Sequence, residues 1–308
     1  VTAAEIEFRA VAKLLLRKSL GTNPSCAPVS VEQAVTGDQA RSQRALPEFH
    51  PFWARRQRPE SLSEEGIKLC RGQWDGSQVT VLKAGIGAPD FGRRLAVHLA
   101  VTHYDALLVV GLAGGLDPKL KAGDAVIYDY CFKAQDEDLG TNSREKPTAR
   151  EENVSIACDA SLVERIVGAL SDGGLPCVRG AGVTTGRAIT GAESKLELGQ
   201  RYSAMAVDME TYQVLAICAQ FGLPAAALRI VADEAESELP DFNRGLKADG
   251  GINHWRILFV LLARPVVSAR FFRDLKRAMR ALKRATDSAL SVKLPDREPL
   301  TKEKRERG

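Results

Sequence analysis

Residues 204–235, AMAVDMETYQVLAICAQFGLPAAALRIVADEA, constrain the fold more than any other stretch of this chain. Met205–Asp208 reads as a short strand, Thr211–Phe221 as a helix and Ala225–Ala232 as a second strand. The last is almost unbroken in its apolar character, as a strand covered on both faces requires. Strand, helix and strand joined by short connections are the unit of a parallel sheet. Two acids stand at the ends of these elements. Glu210 opens the helix, and Asp233 ends the strand. Ligands in an open α/β sheet bind outside the carboxyl ends of the strands, so this pair is the first candidate for a site.

The same alternation runs through the rest of the chain. Ala4–Lys18 carries Ile6, Ala10, Val11, Leu14 and Leu15 at helical spacing. Residues 19–65 hold prolines at 24, 28, 47, 51 and 59 and little periodicity, and read as an insertion. Its one aromatic cluster is His50-Pro51-Phe52-Trp53. Ile67–Cys70 and Gln78–Lys83 form a hairpin pair. Pro89–Val101 is a helix, Ala106–Val110 a buried strand and Gly123–Tyr128 another. Asp136–Glu152 is a charged loop. Ala160–Ser171 and Glu193–Tyr202 are helices on either side of the strand Val178–Thr184. This predicts an α/β domain over 1–236, three-layer αβα, with a mostly parallel, mixed central sheet. A helical extension follows over 237–294, and 295–308 is a charged tail.

The formal net charge of +4 implies no general affinity for nucleic acid. The charge is uneven, however. From Arg264 to Arg284 there are eight Lys or Arg against Asp274 alone. Phe271, Phe272, Leu275, Met279 and Leu282 recur among them at helical spacing, which makes a basic amphipathic helix. Such a helix packs on its own domain or a partner, or docks on an anionic membrane. The apolar run Ile257–Ala263 is far short of the roughly 20 residues that span a bilayer. The six cysteines include no CxxC and read as reduced. These features place the protein in the cytoplasm, with peripheral contact at the inner membrane face through residues 270–290. Val1-Thr2-Ala3 reads as the tail of a strand whose beginning is missing.

Two Gly-rich turns follow predicted strands: LKAGIGA, Leu82–Ala88, and VVGLAGGLDPKLKAGD, Val109–Asp124. Gly85-Ile86-Gly87 lacks the third glycine and downstream acid of a dinucleotide site, so no nucleotide cofactor is expected. His98 and His103, five residues apart, do not share one helical face, and no metal is expected.

Taken with VDME, Val207–Glu210, and RIVAD, Arg229–Asp233, these turns resemble the purine nucleoside phosphorylase / methylthioadenosine–adenosylhomocysteine nucleosidase superfamily. The enzymes of that superfamily break the bond between a purine and a ribose. The resemblance implies a nucleoside phosphorylase-like fold. With the basic C-terminal helix added, it is nearest the hopanoid-associated branch, thought to remove adenine from adenosylhopane. It covers most of the chain apart from residues 19–65.

Cleaving a purine N-glycoside passes through an oxocarbenium-like transition state. The leaving purine needs a proton, usually at N7, from an acid whose pKa is lifted towards neutrality. The ribose hydroxyls need an acceptor, and water needs a base. Asp233 suits the acid, its apolar surroundings raising its pKa; the plainer alternative is a helix N-cap before Glu234. Glu210 suits the ribose acceptor, since a carboxylate takes two hydrogen bonds at once; the plainer alternative is a first-turn glutamate. The resemblance implies that Met209 packs on the sugar. It also implies that an acid near the N-terminus activates water. Glu5 and Glu7 compete for this, and aligning Ala3 with the end of the family's first strand selects Glu7. Ala113 and Gly114 would face the base and Ile86 the 5′ side of the sugar.

Four positions depart from the family pattern. Ala232 stands where serine is common, and Asp208 replaces a glutamate and is given no direct role. Ile189 replaces a stacking phenylalanine and Arg187 an aspartate. Phosphorylases of the superfamily also hold phosphate with an arginine and a Ser or Thr at the places of Val109 and Leu112, neither of which binds an anion. The expected activity is therefore hydrolysis of a 5′-modified adenosine, releasing adenine, by a homodimer without cofactor. Phosphorolysis is the first alternative, and a non-catalytic purine-nucleoside-binding protein is the second.

Overall fold

The computed structural model describes residues 69–75, 77–83, 91–135, 154–239 and 265–292. The helix at 4–18, the insertion, Glu5, Glu7, Ile86, the loop at 136–152 and the tail lie outside them.

The first described elements are strands β1 (Leu69–Trp74) and β2 (Ser77–Leu82), an antiparallel hairpin forming its own two-stranded sheet. Asp75, at φ 46°, begins the turn. Helix α1 (Phe91–Val101) follows, then β3 (Leu107–Gly115), β4 (Ala125–Lys133), β5 (Ser155–Ala157), α2 (Ala160–Asp172) and β6 (Cys177–Thr184). Next come α3 (Ala192–Tyr202), β7 (Ala204–Asp208), α4 (Thr211–Gln220), β8 (Ala225–Asp233) and α5 (Pro265–Leu290).

The main sheet has the order β5-β4-β6-β7-β3-β8, and β4 also pairs with β8. The sheet is mixed, as expected. The long ladders β3–β8 and β4–β6 are parallel, as is β6–β7; β3–β7, β4–β5 and β4–β8 are antiparallel. The β4–β8 pairing closes the sheet on itself, so β8 has neighbours on both edges. Every residue of β8 is buried as a result, which is why AAALRIVAD is so apolar.

Helices α1, α2 and α4 bury apolar stripes against the core. Asp159 caps α2 by accepting a hydrogen bond from Leu162 N at 2.8 Å. Helix α5 lies on the same core through Ala278, Leu282, Ala285 and Ala289, with Met279 packed beside them. The stripe from Ala278 onward is therefore turned inward, whereas Phe272 is exposed. The opposite face exposes Arg270, Arg273, Lys276, Arg277, Arg280, Lys283 and Arg284.

The element order follows the sequence expectation closely, with ends displaced by a few residues. β3 runs on through Gly115 and β4 through Lys133. Strand β5 was not foreseen: three residues on the outer edge of β4 are too few to show a period.

Candidate active site

The site is assembled where β3 and β8 end together. Gly114 is in register with Asp233 on one side and with Val207 on the other, after a bulge between Ala113 and Gly114. A Cβ at Gly114 would stand 3.1 Å from Val207 and 3.4 Å from an Asp233 carboxylate oxygen. At Gly115 it would stand 3.1 Å from the Asp233 carbonyl. Two glycines are thus what let β3 pass between the two neighbouring strands at this point. Ala113 beside them is buried.

Asp233 is 7% exposed. Burial is the largest influence on its carboxyl and pushes the pKa above the usual carboxylate range; the Lys195 ammonium pulls the other way, and Asp274 adds a smaller upward push. The expectation of a lifted acid rested on apolar surroundings. The structure adds a buried cation that sequence reasoning passed over. Lys195, on α3, donates to Asp233 Oδ2.

Glu210 sits at the N-cap of α4, with φ −137° and ψ −28°. Its backbone N–H donates to Asp208 Oδ1 at 3.0 Å. Its carboxylate, 18% exposed, lies 3.6 Å from Arg229 Nη2. Met209, next to it, is half-buried. The carboxylate is therefore held at the helix start by the guanidinium.

The Glu210 side chain does not cap α4; Asp208 does. Its carboxylate accepts from Thr184 Oγ1 at 2.8 Å, from Thr211 N at 2.9 Å and from Thr211 Oγ1. Arg229 Nε lies 3.3 Å from it. Arg229 also donates to Thr211 Oγ1 at 3.0 and 2.6 Å and to the Leu112 carbonyl at 3.5 Å. One guanidinium thus ties β8 to β3 and to the β7–α4 turn that carries Glu210. Asp208 also pushes the buried Tyr128 hydroxyl and Cys131 thiol up, second in each case to burial itself.

Ile189 is buried with Leu198, Tyr202 and Val207 in a satellite cluster, so most of its surface is engaged with protein. Arg187 is exposed. Val109 packs against the main core, as does Leu112, half-buried. His98 bonds the Tyr104 hydroxyl at 2.7 Å. Among the described residues no cluster of His, Cys, Asp and Glu is arranged to hold a metal ion.

Lys195 and Arg229 left signals in the sequence. Lys195, Leu198 and Tyr202 are the buried residues of α3. Their spacing of three and then four puts the lysine on the apolar stripe. Arg229 interrupts an otherwise apolar buried strand. A cation in either place needs an anion beside it.

Comparison with known proteins identifies the family and the fold. The family model described as "Phosphorylase superfamily" matches residues 39–254. The fold is similar to that of a mutant 5′-methylthioadenosine/S-adenosylhomocysteine nucleosidase of Helicobacter pylori with 5′-methylthioadenosine in its active site, at a TM-score of 0.53 and 15% identity over 88% of this chain and 94% of that one. It is similar to the Neisseria meningitidis nucleosidase of the same name bound to methylthio-immucillin-A, at 0.52 and 20% over 73% and 85%. A mutant futalosine hydrolase of Helicobacter pylori matches at 0.54 and 16% over 89% and 95%.

Proposed function

We propose that this chain, which belongs to the phosphorylase superfamily, is a purine nucleosidase that hydrolyses the N-glycosidic bond of a 5′-modified adenosine and releases adenine. The observation that carries the reading is a buried carboxyl of raised pKa, Asp233, set against the Gly114 backbone, with a second carboxylate, Glu210, at the start of the adjoining helix. The purine lies along the backbone at Ala113–Gly114. Asp233 gives its proton to N7 as the C1′–N9 bond breaks. Glu210, steadied by Arg229, accepts hydrogen bonds from the ribose hydroxyls, and these strengthen as C1′ becomes cationic. Glu7 takes the proton of the water that attacks C1′.

Water is favoured over phosphate because the buried cations Lys195 and Arg229 are already engaged by the protein: Lys195 by Asp233 and two backbone carbonyls, and Arg229 by Asp208 and Glu210. Val109 and Leu112 add no anion-binding group. Adenine release should therefore proceed at the same rate with and without phosphate. Ribose-1-phosphate as the main product would reverse this ranking. The structures similar to this one include nucleosidases and a futalosine hydrolase, which fits hydrolysis. Adenosylhopane as the particular substrate is supported by the sequence resemblance.

The cytoplasm is the proposed location, which suits the free Cys131, Cys158, Cys177 and Cys218. Because the stripe of α5 around Met279 faces the core, membrane contact rests on its exposed cations and on Phe272, 51% exposed. Each Lys or Arg near an anionic surface contributes about 1 kcal/mol. Vesicles containing phosphatidylserine should bind the protein at low salt and release it as salt rises. Absence of binding at low salt removes the membrane reading and leaves α5 as a core helix.

A further inference from the structure

Lys195 is 0% exposed. It is reached by three acceptors: Asp233 Oδ2, the Glu234 carbonyl at 3.1 Å and the Ser237 carbonyl at 2.9 Å. Three acceptors match the three N–H bonds of an ammonium group. An uncharged amine would leave one of them unmet. Burying such a charge is costly unless it is paired or fully hydrogen-bonded, and its one side-chain partner here is the carboxyl proposed to protonate the purine.

We propose that Lys195 is a positioning residue for the proton donor: it fixes the Asp233 carboxyl and the turn at 234–237, and it stabilises the carboxylate that remains when the proton leaves. This rests on the reading of Asp233 as the acid. Before transfer Asp233 is a neutral carboxyl. The O–H bond breaks, the proton passes to N7 of the purine, and the electron pair stays on Asp233. The new negative charge arises beside an ammonium already in place and fully buried. Electrostatic help of this kind acts on the transition state more than on the bound substrate.

The same arrangement settles a competition between opposite effects. Burial makes Asp233 a weaker acid, but a buried carboxyl with no counter-charge would release its proton poorly. Lys195 offsets the burial. The other charged groups around the carboxyl are few among the described residues. Asp274 faces it from α5 and is itself paired with Arg273 at 3.1 Å. Glu234 in the following turn pairs with Lys121 at 3.2 Å. Strand β3, at Leu107–Gly115, carries no charged side chain.

The test compares wild type with Lys195→Met, Lys195→Gln and Lys195→Arg across pH, reading adenine release from 5′-methylthioadenosine or adenosine. A proton donor works below its pKa, so kcat/KM falls as pH rises through the Asp233 value. Without the ammonium, which pulls it down, that value climbs. The alkaline limb should therefore move up in the Met and Gln variants and stay in place in the Arg variant. Below that limb kcat should fall roughly 10-fold to 100-fold, while KM changes little. A limb that does not move, with lower activity throughout, means that Lys195 is only structural and overturns the proposal.

A second measurement needs no lysine variant to fold. In wild-type protein labelled with ¹⁵N-lysine, one exchange-protected ammonium signal should shift with the same midpoint as the alkaline limb, and the shift should vanish in Asp233→Asn. An unresponsive signal, or none, overturns the proposal. Asp233→Asn also separates the two ideas. If that variant keeps its activity, the assignment of the acid fails; if it is inactive while the lysine variants leave the limb unmoved, only the role of Lys195 fails.

Discussion

Replacing Asp233 by asparagine should lower kcat for adenine release by about 10³-fold, near the middle of the range attributed to general acid catalysis, and leave KM within about threefold. Asparagine keeps the shape of the side chain and an oxygen for Lys195, but it has no proton of suitable acidity. The purine would leave as an anion, and the full cost falls on the transition state. A 10³-fold loss corresponds to about 4 kcal/mol of transition-state stabilisation. The pH profile gives an independent check. The raised pKa of Asp233 means that its proton is present below that value and lost above it, so the alkaline limb belongs to this residue and should disappear from whatever activity the variant retains. Turnover within about threefold of wild type, for any purine nucleoside the protein accepts, would sink the assignment. Because the Lys195 ammonium exchanges its carboxyl partner for an amide in this variant, the melting temperature should be recorded beside the rate, so that unfolding is not read as lost chemistry.

The parts of the fold legible in the sequence are those with a period or a run. The apolar stretches Ala106–Val110 and Ala225–Ala232 signal buried strands, and the stripes of α2 and α4 signal helices on them. The closure of the sheet through β4 and β8 leaves no such mark, because which strand edges meet is decided by twist and long-range packing. The candidate site divides in the same way. Asp233 and Glu210 stand out as acids at element ends beside glycine turns, and the structure brings Asp233 to Gly114. Glu210 is joined to them through Arg229, a link across strands that no local pattern reveals. Asp208 is the instructive residue. As a shorter acid in the place of a glutamate it earned no role from the sequence. In the fold its length suits it to reach back to the first turn of α4, where it receives two backbone N–H groups and two hydroxyls. Lys195 was legible in principle, since a lysine three residues before Leu198 and seven before Tyr202 lies on a buried stripe. Lysine is so common on exposed helix faces that the position draws no attention until the partner carboxylate is seen.

Arg229→Met should produce the largest loss of stability among substitutions near the site. Arg229 is 4% exposed and pairs with two carboxylates, Asp208 at 3.3 Å and Glu210 at 3.6 Å. Methionine fills much of the volume but supplies no charge and no donor. Asp208, 5% exposed, is then a buried carboxylate with hydrogen bonds and no counter-ion. Breaking a buried pair from one side costs about 3–5 kcal/mol, which in a chain of this size lowers the melting temperature by roughly 10 °C. The Leu112 carbonyl and Thr211 hydroxyl also lose a donor. Two readouts separate charge from packing. If the orphaned carboxylate is the cause, adding Asp208→Asn should return part of the loss, and the double-mutant cycle should give a coupling above about 1 kcal/mol. If Glu210 depends on Arg229 for its orientation, KM for the nucleoside should rise in Arg229→Met and stay raised in the double variant, because Glu210 still lacks its partner. A stability loss below about 1 kcal/mol, or a KM that recovers together with stability, would show that Arg229 is a packing residue and that Glu210 is aimed at the ribose by other means.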